Sequence, residues 1–183
     1  MGRKLGGAPK EKRRKRVNVK LIERMNAGRV VAPYQIMEDL IERHHSHLAE
    51  AKIAMAWRFG WRPDADGRLR LGQCRKGSDL DRELHQFDFV ILLNHEAWNR
   101  ADFSAEQQAA LVDHQLCHAQ VAIDTDGEPK ADELGRTVYR IRRHDVEEFR
   151  DVVARHGLWT DDLEKFASEA MEKMERPLLK MAK

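Results

Sequence analysis

The chain has 183 residues, 42% of them hydrophobic and 35% charged, with a formal net charge of +2. That length allows one domain with extensions and a modest core, while apolar runs such as Phe89 to Leu93 fall far short of the roughly 18 residues of a membrane span. No apolar stretch stands near the N-terminus, and Cys74 and Cys117 are too few for a disulfide framework, so the expected location is cytoplasmic with no membrane contact.

Charge is uneven. Residues 1–20 hold nine basic side chains (Arg3, Lys4, Lys10, Lys12, Arg13, Arg14, Lys15, Arg16 and Lys20) and one acid, Glu11. Of the chain's 33 Lys and Arg and 31 Asp and Glu, that leaves 24 and 30, an excess of six negative charges on the remainder. The segment has Gly2, Gly6, Gly7 and Pro9 and no apolar periodicity, which predicts a disordered basic arm. Residues 3–20 are suited to phosphate contacts, and the lack of interleaved aromatics argues against base stacking. A solvated tail is the plain alternative.

Past the arm, Val19 to Asn26 reads as a short helix stopping at Ala27-Gly28. Pro33 opens a longer one, with Ile36, Leu40, His44, Leu48, Ala51 and Met55 spaced three or four apart until Gly60. His44, His45 and His47 lie on that predicted helix and read as surface or satisfied core histidines rather than ligands. Trp57, Phe59 and Trp61 are expected to anchor its end. Pro63 to Gly67 is a turn, Arg68-Leu69-Arg70-Leu71 alternates like a half-exposed strand, and Phe87 to Leu93 reads as a more buried strand.

Ser104 then stands as the N-cap of a helix, with Gln107 three residues on as in a capping box. Ala109, Val112, Leu116 and Ala119 share one face of this helix; His114 and His118 share the opposite one. At 3.6 residues per turn, positions four apart lie about 40° from one another around the axis, so both imidazoles can reach one zinc ion. Gln115 stands where a side chain can address a water in the metal's open position, which is the place of a general base. Cys117 points away from that side and reads as a small packing residue.

Asp124 to Glu128 is an acidic turn, lacking the glutamate that would complete a calcium loop. Thr137 to Ile141 is strand-like. His144 follows it and opens a predicted helix over Asp145 to His156, a junction able to turn an imidazole back to a metal. Glu148, one turn on, is the alternative third ligand, and Asp145 could orient an imidazole from behind. A last helix spans Asp161 to Met174, closed by Pro177.

Several separated segments make a pattern: Leu71-Gly72, Leu80-Asp81, Phe87 to Asn94, Trp98, Leu111-Val112-Asp113-His114 with Cys117-His118, and His144 to Phe149. Over roughly residues 45 to 158 they resemble the phage metallopeptidase family, small zincin-like proteins whose helix reads L-V-D-H-E-L-C-H. This chain departs at one position, Gln115 for Glu. A looser likeness joins it to SprT-like proteases. The resemblance implies a zinc-dependent endopeptidase acting on a protein or peptide substrate, with His114, His118 and the retained His144 as ligands. In the Glu form the carboxylate takes a proton from the attacking water and delivers it to the leaving amine. Glutamine keeps the shape and loses the basicity, so this chain is expected to be impaired.

Three explanations of Gln115 stay open: an engineered inactive variant, which a single conservative change in an otherwise complete motif favours; a natural non-catalytic binder; or another acid serving as base. The competing function class is a zinc-stabilised module that binds protein or nucleic acid. The expected fold class is α+β, a minimal zincin-like domain with a small antiparallel sheet packed on helices. Its expected divisions are residues 1–20 as the arm, 21–158 as the metallopeptidase domain and 159–183 as a C-terminal helix and tail. Composition and motifs give no oligomeric state.

Overall fold

The computed structural model describes residues 18–175, so the basic arm up to Val17 and the predicted helix stop at Pro177 lie outside the described residues. The chain divides into two compact units, Met1–Ile141 and Arg142–Lys183.

The first unit opens with strands where the sequence suggested a helix. β1 (Val19–Leu21) pairs antiparallel with a later strand, and β2 (Met25–Asn26) and β3 (Arg29–Val30) form a hairpin. Ala27-Gly28, read as a helix stop, is the hairpin's two-residue turn. Both residues have positive φ, 49° and 77°, as a turn matched to the strand twist requires.

α1 (Ala32–His44) starts as expected with Pro33 in its first turn, but it ends at His45 rather than running on to Gly60. A short 3-10 turn, Ser46–Leu48, leads to β4 (Ile53–Arg58). Ile53, Ala54, Met55 and Ala56 are all buried, because β4 is an inner strand covered on both faces. Such a strand reads as a continuous apolar run, which a helical period fits equally well.

β5 (Gly72–Lys76) begins one residue after the predicted Arg68 to Leu71 strand, which is itself irregular. α2 (Asp79–His85) follows, then β6 (Phe89–Asn94), the short α3 (His95–Trp98) and α4 (Ala105–His118). The unit closes with β7 (Ala119–Val121) and β8 (Tyr139–Ile141), an antiparallel pair.

The main sheet has the order β1-β4-β6-β5. Its inner pair β4 and β6 runs parallel, and the outer pairings are antiparallel. The α+β class therefore stands, with a mixed sheet in place of a wholly antiparallel one. A parallel pair cannot be joined by a hairpin, and the connection from β4 to β6 contains β5 and α2, so β5 returns to the outer side of β6.

Leu48, Met55, Phe89, Ile91, Leu93, Val112 and Leu116 are fully buried where α1 and α4 pack with the sheet. Each side chain of this size contributes about 1.5–3 kcal/mol when taken out of water. Tyr34, Asp88 and Asn94 hold partners for their polar groups at the edge of this core. The Tyr34 hydroxyl accepts from the Met55 amide at 3.0 Å, and Asp88 accepts from the Lys52 amide at 2.9 Å while meeting Arg82 at 2.9 Å.

The second unit contains α5 (Arg150–His156) and α6 (Asp161–Glu175). The helix expected from Asp145 begins only at Arg150, so His144 lies in an irregular connector rather than at a helix start. Among the described residues, no helix is long and apolar enough to cross a membrane.

Candidate metal centre

The helix carrying the histidine pair is built as its sequence predicts. Ser104 Oγ accepts from the Gln107 amide at 3.2 Å, and Gln107 Oε1 accepts from the Ser104 amide at 2.8 Å, which satisfies two of the amides that a helix start leaves open. Val112 and Leu116 are buried in the core. His114 on the other side is exposed and His118 half-buried.

The two imidazoles stand edge to face, with ring centroids 4.9 Å apart and an interplanar angle of 84°. Their candidate ligand atoms are within 4.8 Å of each other. Two such nitrogens on one helix face suit a divalent transition metal, so the donor chemistry fits.

Gln115 is only 3% exposed. Its side chain lies over Gly72, the first residue of β5, so closely that a Cβ added there would come within 3.0 Å of Gln115 Cδ and Nε2. Glycine thus lets α4 approach the strand with the Gln115 side chain between them. β5 is the outer strand of the sheet on this side and has β6 as its ladder partner. The sheet order makes β5, and not the more buried β6, the edge on this side.

Two contacts tie the ends of α1 and α4 together. His45 is buried, and its Nε2 is 2.7 Å from Asp113 Oδ1; His47 Nε2 lies 3.2 Å from the Ala119 carbonyl, which accepts. His45 is thus a buried histidine with a carboxylate partner. Its partner was not foreseen, because it lies 68 residues away. The available signal was local, for Asp113 and Cys117 are also four apart on α4. Cys117 is exposed, not packed. Cys74 on β5 is the contrast, since burial pushes its thiol up to about 12.

The connector residues of the second unit have partners of their own. His144 Nδ1 is 3.7 Å from a Glu147 carboxylate oxygen. Asp145 pairs with Arg142 at 2.5 Å. Glu148 accepts from the Phe149 amide at 2.7 Å through one oxygen and from Trp159 Nε1 at 3.0 Å through the other.

A family model described as "Putative phage metallopeptidase" matches residues 28–171. The chain belongs to that family. No curated protein and no solved structure matches the chain. Membership implies a metal ion and a protein or peptide substrate, and the His114 and His118 imidazoles supply donors of the required kind.

Proposed function

We propose that the chain is a zinc-dependent endopeptidase of phage or prophage type, acting in the cytoplasm, whose turnover is depressed by Gln115. The observation that carries this reading is the i, i+4 imidazole pair on the helix that abuts the outer strand, with Gln115 between helix and strand. Zinc, when bound, supplies Lewis acidity at the scissile carbonyl.

His114, His118 and His144 are the proposed ligands. Ala119, the residue after His118, pairs across the ladder with Ile141. Three residues of extended chain span at most about 11 Å, so the connector can carry the His144 imidazole back toward this end of α4. Glu148 is the weaker candidate, since both its oxygens already accept hydrogen bonds, and the Arg142 pairing likewise occupies Asp145.

The outer edge of β5 offers backbone groups to an extended peptide, a form of strand addition. Gln115 then sits where a proton must leave the attacking water. Its amide can hold that water by a hydrogen bond but cannot accept the proton. In Gln115→Glu the new carboxylate would take it and return it to the leaving amine. Loss of a general base lowers rates by about 10²–10⁴-fold, so the Glu form is expected to recover that factor as a chelator-sensitive peptidase.

The test uses a broad peptide library together with candidate phage and host proteins. A zinc-loaded Gln115→Glu protein inert toward all of them would leave the second reading, a zinc-stabilised binding module, which the nonbasic Gln115 itself favours. The basic arm is proposed to bring either form to nucleic acid or to proteins bound on it, in line with the loose SprT-like resemblance.

A further inference from the structure

α4 carries two ligand pairs, one residue out of step. His114 and His118 form one; Asp113 and Cys117 form the other, rotated by about 100° around the axis. The second pair meets the C-terminal end of α1, where His45 ends the helix with its amide bonded to the Leu40 and Ile41 carbonyls. One candidate ligand atom from each of His45, Asp113 and Cys117 lies within 4.8 Å of the others.

We infer that His45 Nε2, an Asp113 carboxylate oxygen and Cys117 Sγ form a second transition-metal site, of the zinc class, distinct from the one that His114 and His118 serve. This goes beyond the peptidase reading and does not depend on it.

The donor set decides the class of metal. An imidazole, a carboxylate and a thiolate suit zinc or cobalt, whereas magnesium and calcium prefer oxygen throughout. Tetrahedral bonds of about 2.0–2.1 Å to nitrogen and oxygen and about 2.3 Å to sulfur place ligand atoms about 3.3–3.6 Å apart. The 2.7 Å contact between His45 and Asp113 must therefore open by about 0.6 Å, and no separation in the cluster need close by more than about 1.5 Å.

Movement of that size is available on one side of the site and not needed on the other. The His45 side chain is 7% exposed and held by its surroundings, while that of Asp113 is 43% exposed and Cys117 faces solvent. The Asp113 carboxylate already fixes the imidazole. On binding, the metal occupies His45 Nε2, the neutral ring carrying its hydrogen on Nδ1, and replaces the thiol proton of Cys117, which goes to solvent. A fourth position is left for water. The bound ion would join the end of α1 to the last turn of α4, the turn that also carries His118.

Cobalt titration of the full chain, stripped with chelator and kept reduced, separates the two sites because only the second contains sulfur. Two equivalents of Co²⁺ are expected, one of them giving a thiolate-to-cobalt charge-transfer band. Cys117→Ser should abolish the band and remove one equivalent. The His114→Ala, His118→Ala double variant should lose the other equivalent and keep the band.

Asp113→Asn preserves a hydrogen-bonding partner for His45, so its fold can be verified by circular dichroism. It should weaken the thiolate site by at least about tenfold. Absence of the band in the parent chain, or its survival in Cys117→Ser, would overturn the inference. So would its loss with the histidine pair, which would make Cys117 a ligand of the first metal. If the double variant keeps both the band and two equivalents, the second site stands and the His114 and His118 assignment fails.

Discussion

The two faces of α4 answer to different physics. Val112 and Leu116 face the core, where volume and exclusion of water set the energy, whereas His114, Asp113 and Cys117 reach solvent to different degrees and are defined by their donor atoms. Any apolar residue of suitable size can serve the first face. Only particular atoms at particular spacings can serve the second. The same helix can therefore be stable with its chemistry removed, and that separation makes exchanging a single residue such as Gln115 informative.

The sharpest test of this contrast pairs Leu116→Ala with His114→Ala. The first leaves a cavity beside fully buried neighbours and should cost about 2–5 kcal/mol in urea unfolding. The second should change metal-free stability by less than about 0.5 kcal/mol, as an exposed substitution does, while lowering zinc content. Comparable losses from both would mean that the ligand face carries folding energy and that the contrast is wrong.

Gly72→Ala probes the seam where the helix meets β5. The added methyl group would press on Gln115, with an expected cost of about 1–3 kcal/mol. Most of that penalty should vanish in a Gln115→Ala background, a coupling that a double-mutant cycle measures directly. Additive effects would place the strain elsewhere.

The two cysteines extend the comparison to pH. Burial raises the Cys74 thiol from its ordinary 9.0 to about 12. Between those values the unfolded chain loses a proton that the folded chain keeps. Stability from this group is therefore full below about pH 9 and falls by about 1.4 kcal/mol per pH unit as the pH climbs toward 12. Urea midpoints measured across that range should drop more steeply for the parent than for Cys74→Ala. Parallel slopes would assign the alkaline loss to other groups.

The smallest effect on the fold is expected from removing residues 1–16. Unfolding of the domain should be unchanged, while nucleic-acid affinity falls and its salt dependence flattens because fewer phosphates are neutralised. An unaltered salt titration would reduce the arm to a solvated tail.

Much of the second half of the first unit could be read directly from local signals. The Ser104 and Gln107 cap, the buried Val112 and Leu116 of the predicted packing face, and the four-residue histidine spacing all sit within one helix. So did the β6 strand, whose Phe89 to Leu93 run is short and bounded by polar residues. Reading failed where a local pattern fitted two structures. Leu48, Ala51 and Met55 continue the spacing of α1, yet the helix stops at His45 and the apolar run Ile53 to Ala56 becomes an inner strand. Val19 to Asn26 failed for the same reason, since β1 exists only because Arg58, Trp57 and Ala56 offer it a ladder.

By itself, then, the sequence determined the capped helix α4, the spacing of its donors and the membership of the chain in a metallopeptidase family. Each of these follows from residues close together along the chain or from a motif with fixed spacing. The tertiary structure alone decided that β5 is the outer strand, that Gln115 lies over Gly72 and that His45 meets Asp113 across 68 residues. Those facts depend on which surfaces bury one another, and a periodic pattern specifies that a face is buried without specifying the partner that covers it.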